Sequence, residues 1–238
     1  MTHVRSLDPV LDARLPLGLG GAFYGAFPAV VTDIVDPDGA GRVRVRLPWS
    51  PDRGDGSYEA WARLATLMAG AGRGSWFVPE VGDEVLLIFE CGDTRRPYVV
   101  GALWNGSDAP PQTMDDNGDN NLRSLHSRNG VVITFDDTDG EEKLVLETPG
   151  GHRVTLDDGG TSVEVSDSNG NVVTLDSSGV SVNASSKVSV QASTVEISAS
   201  MVTVDSGMSK FSGVVKADTV ITNSVVSSSY TPGAGNIW

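Results

Sequence analysis

Residues 187–205 read KVSVQASTVEISASMVTVD, a run in which Val188, Val190, Val195, Ile197, Val202 and Val204 alternate with small polar residues. Two residues is the strand period, so one face of the run is apolar and the other wet. The pairs Val180/Val182, Val188/Val190, Val195/Ile197 and Val202/Val204 recur every seven or eight residues. That spacing is too regular for an ordinary sandwich, and the stripe is too thin to fill a core within one chain. Short repeated strands of this kind are stabilised by stacking on neighbours, here the same strands of other copies. The run therefore predicts an elongated homo-oligomer with these eight aliphatic side chains at its centre.

Upstream, a longer unit repeats as Asn129-Gly130-Val-Val-Ile-Thr134-Phe-Asp136, Gly151-His152-Arg-Val-Thr155-Leu-Asp157 and Asn169-Gly170-Asn-Val-Val-Thr174-Leu-Asp176. The copies lie 21 and 19 residues apart, which predicts hairpin-like units that give way after Gly179 to the valine repeat. Downstream, Val214, Val215, Val220, Ile221, Val225 and Val226 are apolar enough to pack, and Tyr230 and Trp238 are costly to leave in water. Residues 213–238 are thus expected to form a partner-binding end.

Composition divides the chain. Eleven of the 15 aromatic residues lie between Phe23 and Trp104, so only the first half can build a conventional core. Residues 1–107 hold 10 Lys/Arg against 13 Asp/Glu, and residues 108–238 hold 7 against 18, within a net charge of −14. So acidic a second half argues against nucleic acid or an anionic membrane as the main partner, since both demand basic patches. Cys91 is the single cysteine, which rules out an intrachain disulfide framework. The chain opens without a signal-peptide pattern, and the longest apolar run, Val85 to Phe89, is far short of the roughly 20 residues that span a bilayer. Synthesis and assembly in the cytoplasm are expected.

Strands are predicted over Ala29 to Val35, Arg42 to Leu47, Ala60 to Ala65, Glu84 to Phe89 and Tyr98 to Leu103, divided by turn clusters such as DPDGAG. Five short strands without a convincing helix suggest a small oligonucleotide/oligosaccharide-binding (OB) barrel. The division expected is an arm at 1–20, the OB collar at 21–106, a linker at 107–125, a shaft at 126–212 and a tip segment at 213–238.

The succession Gly41-Arg-Val-Arg-Val-Arg-Leu-Pro-Trp49, Trp61-Ala-Arg-Leu-Ala65, Ala69-Gly-Ala-Gly-Arg-Gly74, Phe77-Val-Pro-Glu-Val-Gly-Asp-Glu-Val85 and Pro97-Tyr-Val-Val-Gly-Ala-Leu-Trp-Asn105 resembles the baseplate-spike family. That family takes in phage baseplate assembly protein V and VgrG-like spikes, and the C-terminal stretch looks like the short spikes of extracellular contractile injection particles. The resemblance implies an all-β homotrimer, an N-terminal OB barrel followed by an intertwined triple-stranded β-helix needle. It also implies a structural, non-enzymatic role: the collar meets inner tube and baseplate proteins, and the needle carries a PAAR-repeat tip protein and effector cargo and meets the target membrane mechanically. A spike of a contractile-tailed phage or prophage, or a type VI VgrG-like spike, shares that architecture. The sequence has room for neither the tube-like N-terminal region of long VgrG chains nor an inserted lysozyme domain. Whether the particle is released, anchored or intracellular stays open.

Site chemistry is sparse, and no cofactor is expected. His3, His126 and His152 have no Cys or carboxylate at metal-ligand spacing. His152 shares parity with Val154 and Leu156, so three copies meeting on a threefold axis are the one metal arrangement left. Gly70-Ala-Gly72-Arg-Gly74 opens no helix and reads as a loop, not a phosphate cradle. The acidic stretch after Phe135 lacks EF-hand spacing and reads as a solvated turn. No Gly-x-Ser-x-Gly elbow is present, and Cys91 has no activating base and reads as a packing residue. Arg42, Arg44 and Arg46 alternate with core-facing Val43, Val45 and Leu47, which explains their spacing without nucleic acid.

Overall fold

The computed structural model of the chain describes residues 23–48 and 58–229. The N-terminal arm, His3, Tyr230 and Trp238 lie outside the described residues. The first strands are β1 (Phe27–Asp33), β2 (Arg42–Arg46), β3 (Glu59–Leu64), β4 (Ala69–Gly70), β5 (Arg73–Gly74), β6 (Glu84–Phe89) and β7 (Pro97–Leu103). Five of them close a barrel in the order β1-β2-β3-β7-β6, with β6 returning to β1. Every pairing is antiparallel except β3 with β7. The barrel closes because each strand offers one apolar parity: Ala29 and Val31, Val43 and Val45, Ala62, Val85 and Leu87, and Val99 are all buried inside. Phe23, Phe27 and Phe89 stack at one corner with ring centroids 5.4–5.7 Å apart.

The opposite parity of β2 and β3 is charged and paired. Arg42 donates to Asp36 at 2.6 Å and lies over the Trp61 ring, while Arg44 sits 2.6 Å from Glu59. The sequence-predicted strands agree with the barrel to within two residues. The Gly70–Gly74 stretch departs from expectation: it is a miniature hairpin of β4 and β5, not a plain loop. Its strands are two residues long, too short for an alternation to show.

Beyond the barrel runs a seven-stranded antiparallel meander: β8 (Leu122–His126), β9 (Val132–Asp136), β10 (Lys143–Glu147), β11 (Arg153–Asp157), β12 (Ser162–Ser166), β13 (Val172–Asp176) and β14 (Gly179–Asn183). The repeating sequence motif falls on β9, β11 and β13. Its glycines, Gly130, Gly151 and Gly170, have φ of 84°, 79° and 84°, and each donates back to the residue three earlier. That left-handed step is what the turn requires and what a side chain resists. The connections on the other edge shorten along the chain, from 137–142 to 158–161 to 177–178.

The second compact unit starts at Ser186. From there to residue 229, no described residue takes part in a strand ladder with its own chain. The backbone instead bends at regular places, Ser186, Ser193, Ser200 and Gly207, seven residues apart, and later at Gly213, Asp218, Asn223 and Ser228, five apart. Extended peptide groups between such bends need hydrogen-bond partners, and no described strand of the same chain supplies them.

Candidate assembly surface

Residues directly opposite one another in an antiparallel sheet share a face. The register of the meander therefore sets Phe135, Leu144, Leu156, Val163, Leu175 and Val180 in one row, and Leu125, Ile133, Leu146, Val154, Val165, Val173 and Val182 in the next. Both rows lie on one face. The other face carries Ser124, Thr134, Thr155, Glu164, Thr174 and Ser181, with Val145 buried between Thr134 and Thr155.

Among the described residues nothing fully covers the apolar face. Phe135, Leu146, Leu156, Val165 and Leu175 are each between 40% and 46% exposed. Completing their burial is worth on the order of 1 kcal/mol per side chain. Summed over two rows, that is comparable with the whole stability of an ordinary domain, about 5–15 kcal/mol. An apolar field of this extent marks an assembly surface.

Among the expected core residues, Val180 and Val182 extend the two rows on β14. Val188, Val190, Val195, Ile197, Val202 and Val204 lie on the straight segments between the seven-residue bends, all more than half exposed. The tip residues Val220, Ile221, Val225 and Val226 occupy the later, shorter segments and are also exposed. The sequence reading of the core began at Val180 and missed the earlier part of both rows. The signal was present in Ile133-Thr-Phe135, Val154-Thr-Leu156 and Val173-Thr-Leu175, where apolar residues flank a threonine in every copy.

Electrostatics hold the edges. The Asp136 carboxylate takes the amide and hydroxyl of Thr138, Asp176 takes those of Ser178, and Asp167 takes the amides and side chains of Asn169 and Asn171. These bonds hold all three carboxyl groups below the usual carboxylate range. His152 sits in the turn before β11, and its carbonyl accepts from the Thr148 amide at 3.0 Å. No group of three or more His, Cys, Asp or Glu among the described residues is placed to hold a metal. Cys91 is exposed rather than packed, because the turn Glu90–Gly92 puts it at φ 51° with its side chain outward.

Residues 27–104 match the type VI secretion system/phage-baseplate injector OB domain, and residues 143–208 match the phage baseplate V C-terminal trimerisation domain. The chain belongs to the baseplate-spike family. The exposed rows thus fall largely within the residues that match a trimerisation domain. The type VI secretion system spike protein VgrG3 of Vibrio cholerae is 31% identical over 115 residues, 46% of this chain and 11% of that protein. VgrG1a of Pseudomonas aeruginosa is 33% identical over 114 residues, 46% of this chain and 17% of that protein. The actin cross-linking toxin VgrG1 of Vibrio cholerae is 25% identical over 128 residues, 12% of its length. The spike protein therefore spans less than a fifth of the length of these relatives.

Proposed function

We infer that the chain is the protomer of the central spike of a contractile injection system, in which three copies form an OB collar and a needle that caps the inner tube. The work is mechanical. When a sheath contracts, the needle concentrates force on a small area of the target membrane. Stiffness comes from apolar rows closed against one another and from backbone hydrogen bonds exchanged between chains beyond Ser186. The collar end docks to inner tube and baseplate proteins, and the C-terminal end presents a three-chain platform for a PAAR-type tip protein and its cargo. The particle is tail-like and assembled in the cytoplasm.

The observation that carries this reading is the pair of exposed apolar rows, followed in sequence by a segment with no strand partner among the described residues. Light scattering coupled to gel filtration is expected to give three chains, and a folded monomer at micromolar concentration overturns it. Deleting residues 213–238 is expected to leave a trimer and abolish capture of a PAAR-type protein and particle-mediated delivery. Full capture by the truncated trimer moves the tip site elsewhere.

A further inference from the structure

One apolar feature of the barrel is absorbed neither by its core nor by the sheet. The β4–β5 hairpin holds Leu67, Met68, Trp76 and Phe77 in the open, with Leu67 99% and Phe77 77% exposed. It is a built element. The Ser75 amide donates to the Met68 carbonyl at 2.9 Å, and the Thr66 hydroxyl donates to the Ser75 carbonyl at 2.8 Å. At its base the Ala65 amide donates to the Val99 carbonyl at 2.8 Å, so the hairpin is tied to the barrel wall. The backbone closes so tightly at Gly74, φ 156°, that a Cβ there would stand 2.6 Å from the Met68 carbonyl oxygen. Beside it opens a groove of about 570 Å³ whose floor includes Gly41 and Leu64.

We propose that this hairpin is a clasp that packs on the barrel wall of a second copy of the chain, closing the collar as a ring of three; the proposal rests on the trimer inferred above. Two observations choose the occupant. Six residues past β5 the chain reaches Glu80, whose carboxylate lies 2.9 Å from Arg128 in the β8–β9 turn. Its root is therefore at the end of the barrel that meets the trimerising sheet, and its surface continues an interface between copies. Exposed apolar side chains then choose the receiving wall. A threefold ring needs a second, different patch on the same barrel. The outer wall of β2 and β3 is occupied by ion-paired Arg42, Arg44 and Glu59. That of β6 and β7 offers Ile88 and Val100, 40% and 41% exposed, beside Gly101, where an added Cβ would meet nothing within 4 Å.

The test uses the full chain with Cys91→Ser, carrying Leu67→Cys and Ile88→Cys together or singly. Scattering on the same preparations is expected to give three chains. Mild oxidation is expected to give covalently linked dimers and trimers on denaturing gels only when both cysteines are present. Adding Phe77→Glu is expected to cut the linked fraction at least tenfold while scattering still reports three chains. Three chains without links above the single-cysteine controls overturn the clasp and leave the trimer standing. Links that survive Phe77→Glu overturn it too. One chain by scattering overturns the trimer and the clasp with it. Shielding of the residue 67 thiol from maleimide only on addition of a baseplate or tube protein assigns the hairpin to that partner and overturns the second copy.

Discussion

Arg128 and Glu80 meet at 2.9 Å, an ion pair that joins the first turn of the meander to the loop entering the last barrel hairpin. Both side chains are substantially exposed, 69% and 45%. Exposed pairs contribute roughly 0–1 kcal/mol, because water screens them and ordering the side chains costs entropy. Glu80→Ala is therefore expected to shift a denaturant midpoint by less than about 1 kcal/mol and leave the mass of the assembly unchanged. A loss of several kcal/mol would show that the pair sits in a drier environment inside the trimer.

The two faces of the meander make opposite predictions for the same substitution. Val165→Asp, and Val190→Asp further along, would bring one carboxylate per copy into an apolar layer, each with a desolvation cost of several kcal/mol. Assembly is expected to fail, read as loss of the three-chain peak. Thr174→Asp and Ser189→Asp, on the opposite parity, are expected to assemble and melt within a few degrees of the unaltered protein. A Val165→Asp or Val190→Asp trimer that melts normally would place the interface elsewhere.

Gly74→Ala sets a side chain against the Met68 carbonyl at 2.6 Å in a backbone conformation that favours glycine. Strain of this kind costs of the order of 1–3 kcal/mol. The expected result is a lower melting temperature, with exchange of the Ser75 amide accelerated more than that of barrel strands. Gly101→Ala, where an added Cβ has open space around it, is the control and is expected to fold with unchanged exchange at Ser75.

Acid tolerance follows from the barrel carboxylates. Hydrogen bonds from the Arg95 side chain and amide hold the Asp93 carboxyl at about 2, against an ordinary 3.8, and Arg42 holds Asp36 well below the usual carboxylate range. A group whose folded value is depressed stabilises the fold above its unfolded value, and that stability is lost as pH falls through the folded value. Melting temperature is expected to hold down to about pH 4 and to fall between there and about pH 2. Arg42→Gln is expected to lower the melting temperature above about pH 4 and to make the fall below it shallower. A full loss already complete at about pH 5 would mean that other groups govern acid unfolding.

The linker between barrel and sheet is the expected first site of proteolysis. Its residues are largely exposed, and its backbone is held by local turns around Asp115, whose carboxylate takes the amides of Asp119 and Asn120. Brief digestion followed by mass spectrometry is expected to cut between residues 105 and 121. Earlier cleavage within residues 187–205 would show that the needle is the looser part.

The barrel was legible in the sequence because its strands carry an uninterrupted parity, as in Arg42-Val-Arg-Val-Arg46, which needs no partner to read. The meander was legible as repeats but not as a face. Doubled apolar residues such as Val131-Val132 and Val172-Val173 blur the alternation, and only register decides that Val173 and Val182 share a row. The β4–β5 hairpin was hidden for another reason: its conformation comes from glycine at Gly72 and Gly74 and from backbone bonds, which leave no periodic side-chain signature. Cys91 was misread because a three-residue turn at φ 51° reverses the direction a strand would give its side chain.

The bends beyond Ser186 come every seven residues at first and every five from Gly213 onward. If each straight stretch is one edge of a closed three-sided turn, the edge shortens in proportion to residue number, and the enclosed cross-section shrinks with its square, to roughly half. In the needle proposed above, the same axial thrust would act at about twice the pressure where the edges are shorter. Sharpness in such a needle would be a matter of counting residues between corners.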